Sequence, residues 1–259
     1  MQELSSLHNE KIKYLKSLQQ KKYRKVHGCY LIEGRRLLTE ALERGAEITA
    51  VAVEKDRMES FQELLLQVKE AELFVTTDTV LRALCLTEAP EGIVACVKIK
   101  QCDHALTEGN LMLILDGLQD PGNLGTILRT ANACGVKDVY LSANCVEIYN
   151  PKVVRSAMGA LFALNIRQDC DLQTFIPVLK AEGWRVLGTS LSGENYYGAS
   201  FSGKVGLVIG NEGNGVSESI LHLCDKQVKL PVSEDAESLN AAMAAGILLY
   251  DLMYRNKLQ

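Results

Sequence analysis

Three glycine-containing segments in the C-terminal half of the sequence carry the side chains best suited to chemistry. They are LDGLQDPGNLGTILRTANACG (115–135) with Asn123 and Arg129, VIGNEGNGVS (208–217) with Glu212, and LPVSEDAESLNAAMAAGI (230–247) with Ser238 and Asn240. An arginine guanidinium stays protonated at ordinary pH, so Arg129 can bind a phosphate or stabilise a developing anion. The glycines around Glu212 let the backbone approach a ligand closely. Together the segments predict one ligand site.

Each of these segments follows a predicted buried strand. Apolar runs typical of a parallel sheet lie at 111–118, 138–142, 161–166, 184–190, 205–210 and 226–231. Helical spacing lies between them at 124–134, 152–159, 172–182, 217–224 and 238–256. Strands alternating with helices predict a parallel sheet with helices on both faces, and ligands of such sheets bind beyond the carboxyl ends of the strands. Asn123 and Ser238 are predicted to cap the helices that follow them.

The first hundred residues predict a separate, smaller α/β domain. Helices are expected at 10–25, 35–45, 58–70 and 78–85, and strands at 29–34, 48–54, 73–77 and 92–99. The polar segment 100–110 lacks periodicity and is interpreted as a linker. We therefore divide the chain into residues 1–105 and 106–259.

Several familiar motifs are absent or incomplete. The glycines of GNEGNG (210–215) do not have the GxGxxG spacing of dinucleotide-binding folds. GASFSGKV (198–205) has Val205 where a phosphate loop needs Ser or Thr, and it precedes an apolar run instead of following one. No GxSxG motif occurs. Because the sequence contains no cluster of His or Cys, we predict no metal site.

The composition is that of a folded chain without a membrane span. Hydrophobic residues make up 47% and charged residues 23% of the 259 residues. The longest uncharged stretch, 238–250, is well short of the ~20 residues that a bilayer requires. No secretory signal is visible, and the eight cysteines form no CxxC or CxxH pattern. We therefore expect reduced thiols and a cytoplasmic location.

The net charge of −4 hides a basic N-terminal arm. Residues 1–40 carry nine Lys or Arg and four Asp or Glu, a net of +5, whereas the remainder carries −9. A basic arm on an acidic body is typical of a protein that meets phosphates at one end. A solvated helix face whose lysines contact only water is equally compatible with this pattern.

The three segments resemble the three sequence motifs of the SpoU (TrmH) family of RNA ribose 2′-O-methyltransferases, within the SPOUT superfamily. The matching residues are Asn123, Gly125 and Arg129 in the first motif, Gly210, Glu212 and Gly215 in the second, and Pro231 with Ser238-Leu239-Asn240 in the third. Order, spacing and residue types all agree. The resemblance spans residues 111–257 without an obvious gap.

The resemblance implies methyl transfer from S-adenosylmethionine to a ribose 2′-hydroxyl by a homodimeric enzyme. It also implies a deep trefoil knot, which periodicity cannot predict because true knots are nearly absent from proteins. The residues implied to hold the cofactor are Thr189, Gly210, Leu230 and Leu239. Arg129 is the implied catalytic residue, either as a general base or as a phosphate clamp. The residues implied to orient it, the cofactor or the nucleotide are Asn123, Glu212, Ser238 and Asn240.

The N-terminal part, with IEGRRLLTEAL (32–42), resembles the small L30e-like substrate-binding domain that precedes the methyltransferase domain in this family. Because such a domain looks like a ribosomal-protein-type RNA binder, ribosomal RNA is favoured over transfer RNA as the partner. The predicted RNA contacts are Lys21, Lys22, Arg24, Lys25 and Arg35. The alternatives are a transfer-RNA ribose methyltransferase, a methyltransferase that acts on something other than ribose, and a catalytically inactive RNA-binding protein of the same fold.

Overall fold

The computed structural model describes residues 1–68, 70–100, 109–200, 203–233, 235 and 237–257. The chain divides into two compact units, Met1–Gln101 with Tyr149–Phe162, and Cys102–Ile148 with Ala163–Gln259. The boundary predicted between residues 105 and 106, and most of the predicted linker 100–110, lie outside the described residues. A segment from the C-terminal half of the sequence thus belongs to the N-terminal unit.

Strands and helices alternate along both units. The strands are β1 (Gln2–Leu4), β2 (Cys29–Glu33), β3 (Ile48–Glu54), β4 (Glu72–Thr76), β5 (Ile93–Lys98), β6 (Leu111–Leu115), β7 (Asp138–Ser142), β8 (Asn165–Cys170), β9 (Arg185–Asn195), β10 (Val205–Ile209) and β11 (Lys226–Lys229). The α-helices are α1 (Glu10–Ser17), α2 (Lys21–His27), α3 (Arg35–Glu43), α4 (Gln62–Gln67), α5 (Asp78–Leu84), α6 (Pro121–Ala133), α7 (Pro151–Ala157), α8 (Ala160–Ala163), α9 (Leu172–Ala181), α10 (Glu218–Leu221) and α11 (Ala241–Lys257). Short 3-10 helices lie at Lys55–Phe61 and Tyr196–Gly198.

The N-terminal unit contains a five-stranded mixed sheet in the order β1-β4-β3-β5-β2. β3 is parallel to β4 and antiparallel to β5. Because side chains alternate along a strand, Val51 and Val53 of β3 pack in one core with residues of α3, while Ala50 and Ala52 pack in another with residues of α1 and α5. The small α/β domain predicted here is confirmed.

The helix predicted over 10–25 is two helices in the structure, α1 and α2, separated by residues 18–20. The Arg24 side chain is buried, and its Nη1 donates hydrogen bonds to the carbonyl oxygens of Leu18 (2.9 Å) and Gln19 (2.8 Å). The last carbonyls of a helix lack backbone partners, so Arg24 stabilises the break by satisfying them. Helical periodicity alone does not reveal this interruption.

The C-terminal unit contains a six-stranded parallel sheet in the order β11-β9-β10-β6-β7-β8. Every residue of the neighbouring strands β6 and β10 is buried. They pair in register from Val205 with Leu111 to Ile209 with Leu115, so their carboxyl ends lie side by side. The predicted parallel sheet and the predicted α/β fold class are confirmed for this unit, and burial on both faces is confirmed for β6 and β10. Most residues of β8 and β11 are half-buried or exposed, so burial on both faces is wrong for these two strands.

The strand predicted at 161–166 is partly wrong. The chain forms the short helix α8 before β8 starts at Asn165. Leu161 and Phe162 pack against the core of the N-terminal unit that contains Tyr30. A short apolar run is compatible with either a helix or a strand, and here the tertiary packing decides.

Helices α6 and α11 pack against each other, and α11 also packs against β10. Ala242, Ala245 and Leu249 form part of the buried side of α11, and Gly246 faces Thr130 of α6. The small residues of α11 therefore pack within the chain. Among the described residues, no helix is long and apolar enough to cross a membrane.

Candidate active site

The first loop of the site follows β6 and leads into α6. Gly117 has a φ of +68°, in the left-handed region that favours glycine. Asp120 caps α6, because its Oδ1 accepts the backbone N–H of Asn123 at 2.7 Å and Pro121 starts the helix. The helix cap predicted at Asn123 is therefore wrong. The acid before the proline takes that role and leaves the Asn123 side chain to bind elsewhere.

The second loop follows β10 and closes on itself. The backbones of Asn211 and Gly215 exchange two hydrogen bonds of 2.9 Å. Gly210 is buried, and a Cβ on it would lie 2.0 Å from the backbone nitrogen of Val216. No side chain fits at that distance, so the loop requires glycine at this position whatever it binds.

The first and second loops are fastened to each other. The Asn211 side-chain amide donates to the carbonyl oxygen of Gly117 at 2.8 Å. The Asp116 carboxylate accepts both the backbone N–H and the hydroxyl of Ser217, at 2.9 and 2.7 Å. The sequence analysis did not identify the roles of Asp116, Asn211 and Ser217 or the helix cap at Asp120. Only the Asp120 cap could have been predicted, because Asp120 precedes a proline, which is common at the first position of a helix.

Glu212, at the tip of the second loop, accepts three hydrogen bonds from the first. The donors are the backbone N–H groups of Gln119 (3.2 Å) and Asp120 (3.0 Å) and the side-chain amide of Asn123 (3.2 Å). Desolvation acts to raise the pKa of the Glu212 carboxyl, but hydrogen bonds, including those to the first loop, outweigh it and hold the pKa below its usual value. The Glu212 carboxylate is therefore ionised at neutral pH and joins the second loop to the first.

The third loop leads from β11 into α11 and joins the same network. Asn240 caps α11, since its Oδ1 accepts the N–H groups of Ala242 (2.9 Å) and Met243 (3.3 Å). The cap predicted at Ser238 is therefore wrong by two positions. The Asn240 side-chain amide donates to the Asn123 Oδ1 at 3.0 Å. One hydrogen-bonded chain, Glu212–Asn123–Asn240, thus joins the three motifs.

The remaining candidate catalytic residues are exposed. Arg129 lies on α6, roughly 9 Å beyond Asn123 along the helix axis. Within the described part of the chain, its guanidinium has no hydrogen bond or ion pair. Ser238 is exposed two residues before Asn240. The structure brings Asn123, Glu212 and Asn240 into contact and leaves Arg129 and Ser238 facing solvent.

Of the four residues expected to hold the cofactor, Thr189 lies in the middle of β9, Gly210 and Leu230 directly follow β10 and β11, and Leu239 lies in the loop after β11. The Thr189 hydroxyl donates to the carbonyl oxygen of Val208 at 3.0 Å, next to where β9 stops pairing with β10. Gly210 is buried, Leu230 is half-buried and Leu239 is 40% exposed. The set presents neutral backbone groups and apolar side chains, which suit the faces and edges of an adenine.

The predicted RNA contacts separate into exposed and occupied cations. Lys21, Lys22 and Lys25 are exposed on α2. Arg24, in contrast, is buried and engaged with the end of α1, so it leaves the candidate RNA surface. The exposed Arg35 donates to the carbonyl oxygen of Ser60, and its guanidinium lies 4.6 Å from the centre of a neighbouring aromatic ring.

No group of His, Cys, Asp and Glu that could hold a metal ion is found in the described parts of the chain. The arrangement at the carboxyl ends of β6, β9, β10 and β11 can bind a neutral heterocycle and hold an anion beside a guanidinium. Glu212 is not a ready general base, because its carboxylate already accepts hydrogen bonds from three donors.

Similarity to known proteins covers both units. The SpoU rRNA Methylase family model matches residues 110–250, and that of the MRM3-like substrate binding domain matches residues 9–95. A Bacillus subtilis protein named 23S rRNA (guanosine(2553)-2′-O)-methyltransferase RlmP is 35% identical over 254 residues, covering 97% of this chain and 99% of its own.

Two further similarities concern Streptomyces viridochromogenes. Its 23S rRNA (uridine(2479)-2′-O)-methyltransferase is 30% identical over 235 residues, covering 86% of this chain and 82% of its own. The structure of the SpoU methyltransferase AviRb from that organism, in complex with the cofactor AdoMet, matches with a TM-score of 0.87 and 28% identity. It covers 96% of this chain and 98% of its own.

Proposed function

Because the chain belongs to the SpoU rRNA methylase family, we propose that it transfers the methyl group of S-adenosylmethionine to a ribose 2′-hydroxyl of ribosomal RNA. The observation that carries the proposal is the hydrogen-bonded chain Glu212–Asn123–Asn240, which joins the three motifs at the carboxyl ends of the sheet. The Bacillus subtilis relative, similar along nearly its whole length, is named for this reaction on 23S rRNA.

S-Adenosylmethionine supplies an electrophilic methyl group on its sulfonium. In this proposal Thr189, Gly210, Leu230 and Leu239 hold the cofactor through neutral backbone groups and apolar walls. The exposed side chain of Leu239, with the exposed Val232 in the same loop, offers apolar surface to an adenine.

Arg129 acts in the proposal as a phosphate clamp and not as a general base. A protonated guanidinium binds the phosphate beside the reacting ribose in two-point fashion and stabilises the alkoxide character that the 2′-oxygen gains as its hydroxyl loses the proton. A general-base role would first require a neutral guanidinium, which ordinary pH does not provide. In this scheme the hydroxyl proton passes to solvent.

Asn123, Glu212 and Asn240 act as positioning residues. Glu212 ties the loop that contains Gly210 to the start of α6, and Asn240 ties the start of α11 to the same helix. Because α6 carries Arg129, this network sets the guanidinium relative to the cofactor loops. Ser238 stands next to Leu239 and is assigned to nucleotide contact.

The N-terminal domain, taken as residues 1–105, is proposed to recognise RNA, and residues 106–259 to transfer the methyl group. Lys21, Lys22, Lys25 and Arg35 present exposed cations on the N-terminal unit. The match of residues 9–95 to a substrate binding domain supports this division. A cytoplasmic location belongs to the same proposal, and cell fractionation tests it.

We propose that two copies associate through α11. One side of this helix packs within the chain, but the other presents large apolar side chains at helical spacing, each more than one-third exposed. They are Met243, Ile247, Tyr250 and Tyr254. A contiguous apolar stripe of this kind marks a protein interface more often than a free surface, and a symmetric second copy covers it most simply.

A deep trefoil knot in the C-terminal unit is the topological part of the proposal. Tyr196, just after β9, is buried and donates its hydroxyl to the Asp251 carboxylate of α11 at 2.7 Å. Gly193 lies so close to β11 that a Cβ on it would be 2.7 Å from the carbonyl carbon of Gln227. The approach of Gly193 is packing between the paired strands β9 and β11, whereas the Tyr196–Asp251 hydrogen bond joins α11 to the end of β9 and supports a threaded C-terminal helix. An experimental structure in which α11 passes outside the preceding loops would contradict it.

The decisive experiment uses tritiated S-adenosylmethionine with ribosomal and transfer RNA from cells that lack this protein. Alkali cannot cleave the chain next to a 2′-O-methyl ribose, so alkaline digests of ribosomal RNA should hold the label in dinucleotides. Label in mononucleotides would indicate base methylation and overturn the proposal. Label confined to transfer RNA would favour the transfer-RNA alternative, and RNA binding without label would favour the inactive alternative.

A further inference from the structure

The surface of α2 carries an aromatic pair next to its lysines. Tyr23 and His27 lie one helical turn apart, with ring planes 12° from parallel and centroids 6.3 Å apart. Tyr14 of α1 meets the His27 ring edge-on, at 4.9 Å and 83°. His27 is exposed and Tyr23 is half-buried, so the pair is accessible from solvent.

The pair is held from inside the unit. The Tyr14 ring is half-buried and packs against the core that contains Cys29 and Cys96, which restricts the ring that supports His27. Arg24 lies between Tyr23 and Lys25 in sequence and points inward to the end of α1. Because both anchors are buried or half-buried, little side-chain freedom remains to be lost when a ligand stacks on the pair.

The lysines beside the pair have no acidic partner among the residues that the structure describes. Lys21, Lys22 and Lys25 are exposed without an ion pair there, whereas Lys13 of α1 lies 2.8 Å from Glu10. The Lys22 ammonium lies 5.7 Å from the centre of the Tyr23 ring. Cations that no carboxylate neutralises remain available to phosphates.

We propose that this surface binds an unpaired nucleotide of the RNA substrate, with its base stacked on the Tyr23–His27 pair and its neighbouring phosphates on Lys21, Lys22 and Lys25. A purely basic helix would hold duplex and single strands alike through their phosphates. An accessible aromatic pair adds affinity only where a base is free to leave its partner, as in loops, bulges and ends. The inference rests on the proposed function in that RNA is the substrate, and it specifies the part of the RNA that the N-terminal unit recognises.

The test measures binding of the full-length protein to a fluorescein-labelled 12-nucleotide RNA of mixed sequence and to the same sequence as a duplex. His27→Ala and Tyr23→Ala should each weaken single-strand binding at least about fivefold and leave duplex binding within twofold. Val26→Ala, in an exposed side chain of the same helix, is the matched control and should change neither. His27→Phe should restore single-strand binding, because an aromatic face is what the base requires.

Wild-type protein gives a second readout that needs no variant. An RNA carrying 2-aminopurine in an unpaired position should lose fluorescence on binding, and His27→Ala should abolish that loss. Unchanged single-strand affinity in both alanine variants, or equal weakening for single strand and duplex, overturns the inference. Methyl transfer by the wild type to ribosomal RNA is measured separately, so failure of the stacking surface and failure of the methyltransferase activity give different results.

Discussion

At the scale of single residues, the side chain of Asn123 is the point where the site is assembled. Its amide donates to Glu212, and its carbonyl oxygen accepts from Asn240, so both ends of one short side chain are used. This is possible because Asp120 takes over the capping of α6. Asn123, which the resemblance implies orients the catalytic arginine, the cofactor or the nucleotide, therefore joins three segments that are distant in sequence.

Arg129→Ala should abolish methyl transfer and leave the affinity for S-adenosylmethionine within a few-fold, because the clamp contacts RNA and not the cofactor. Single-turnover transfer with saturating RNA measures the first effect, and calorimetry the second. Arg185→Ala, an exposed arginine at the amino end of β9, is the matched control and should keep both. Loss of cofactor binding in Arg129→Ala would contradict the assigned role.

Glu212→Gln should lower the free energy of unfolding at pH 7, because a neutral amide is a weaker acceptor than a carboxylate for the three donors. The loss should be only about 1 kcal/mol, because the side chain is exposed to solvent. Transfer activity should fall with it. Denaturant unfolding of both proteins measures the difference, with Glu182→Gln as an exposed control.

The same pair of proteins should show a defined pH dependence. Since the folded pKa of Glu212 lies below its unfolded value of about 4.3, its contribution is fully present above that value. It is lost as the pH falls through the lower folded pKa. The stability difference between wild type and Glu212→Gln should therefore be constant from pH 6 to 8 and shrink below about pH 4. A difference that grows in acid would show that the carboxylate is not stabilised in the folded state.

At the scale of elements, the loops after β6 and β10 are shaped by their own backbone before any ligand is considered. The closest approach is at Gly210, where the backbone of Gly215 and Val216 occupies the space of a Cβ. Tight closure puts Glu212 at the tip of the loop, within reach of the first turn of α6. The glycines of the second motif are thus required by packing as well as by any cofactor.

Gly210→Ala should therefore unfold or displace the loop and lower the thermal midpoint by several degrees, since backbone atoms cannot retreat as a flexible side chain can. Gly213→Ala is the control in the same loop, because its Cβ would lie 3.6 Å from the nearest atom, the Asn211 Oδ1. Thermal unfolding followed by circular dichroism measures both. Equal midpoints for the two variants would contradict the close approach.

Helix α2 should contribute to the salt dependence of RNA binding. Changing Lys21, Lys22 and Lys25 together to Ser should weaken binding and reduce the slope of log K against log salt by about 2, at roughly 0.7 per phosphate contact of a single strand. Filter binding at several salt concentrations gives the slope. An unchanged slope would show that the lysines of α2 contact only water.

Arg24→Ala should instead lower the free energy of unfolding, because the Arg24 guanidinium donates hydrogen bonds to the carbonyl oxygens at the end of α1.

At the scale of the whole molecule, assembly depends on the side of α11 that the chain leaves uncovered. Tyr250→Glu, in the middle of the apolar stripe, should shift the protein from dimer to monomer at micromolar concentration by placing a charge where the partner packs. Tyr197→Glu, an equally exposed tyrosine elsewhere in the unit, should not. Sedimentation velocity distinguishes the two masses, and a wild type that sediments as a monomer would contradict the proposed homodimer.

Family membership could be predicted from the sequence because its motifs are short, ordered and chemically specific, and it is confirmed. The α/β class of both units could be predicted because buried parallel strands such as β6 and β10 are uninterrupted apolar runs. These features depend on local residue types and spacing, which a linear sequence contains in full.

Other features depend on contacts between residues that are far apart in sequence, and only the tertiary structure decided them. The break between α1 and α2 depends on the inward turn of Arg24, and the start of α11 depends on Asn240 acting as cap while it binds Asn123. Period and propensity describe what a segment can form alone, whereas a side chain with several possible partners takes the one that folding brings within reach. The sequence by itself therefore determined the family and the chemistry, and the tertiary structure decided which residues hydrogen-bond to each other.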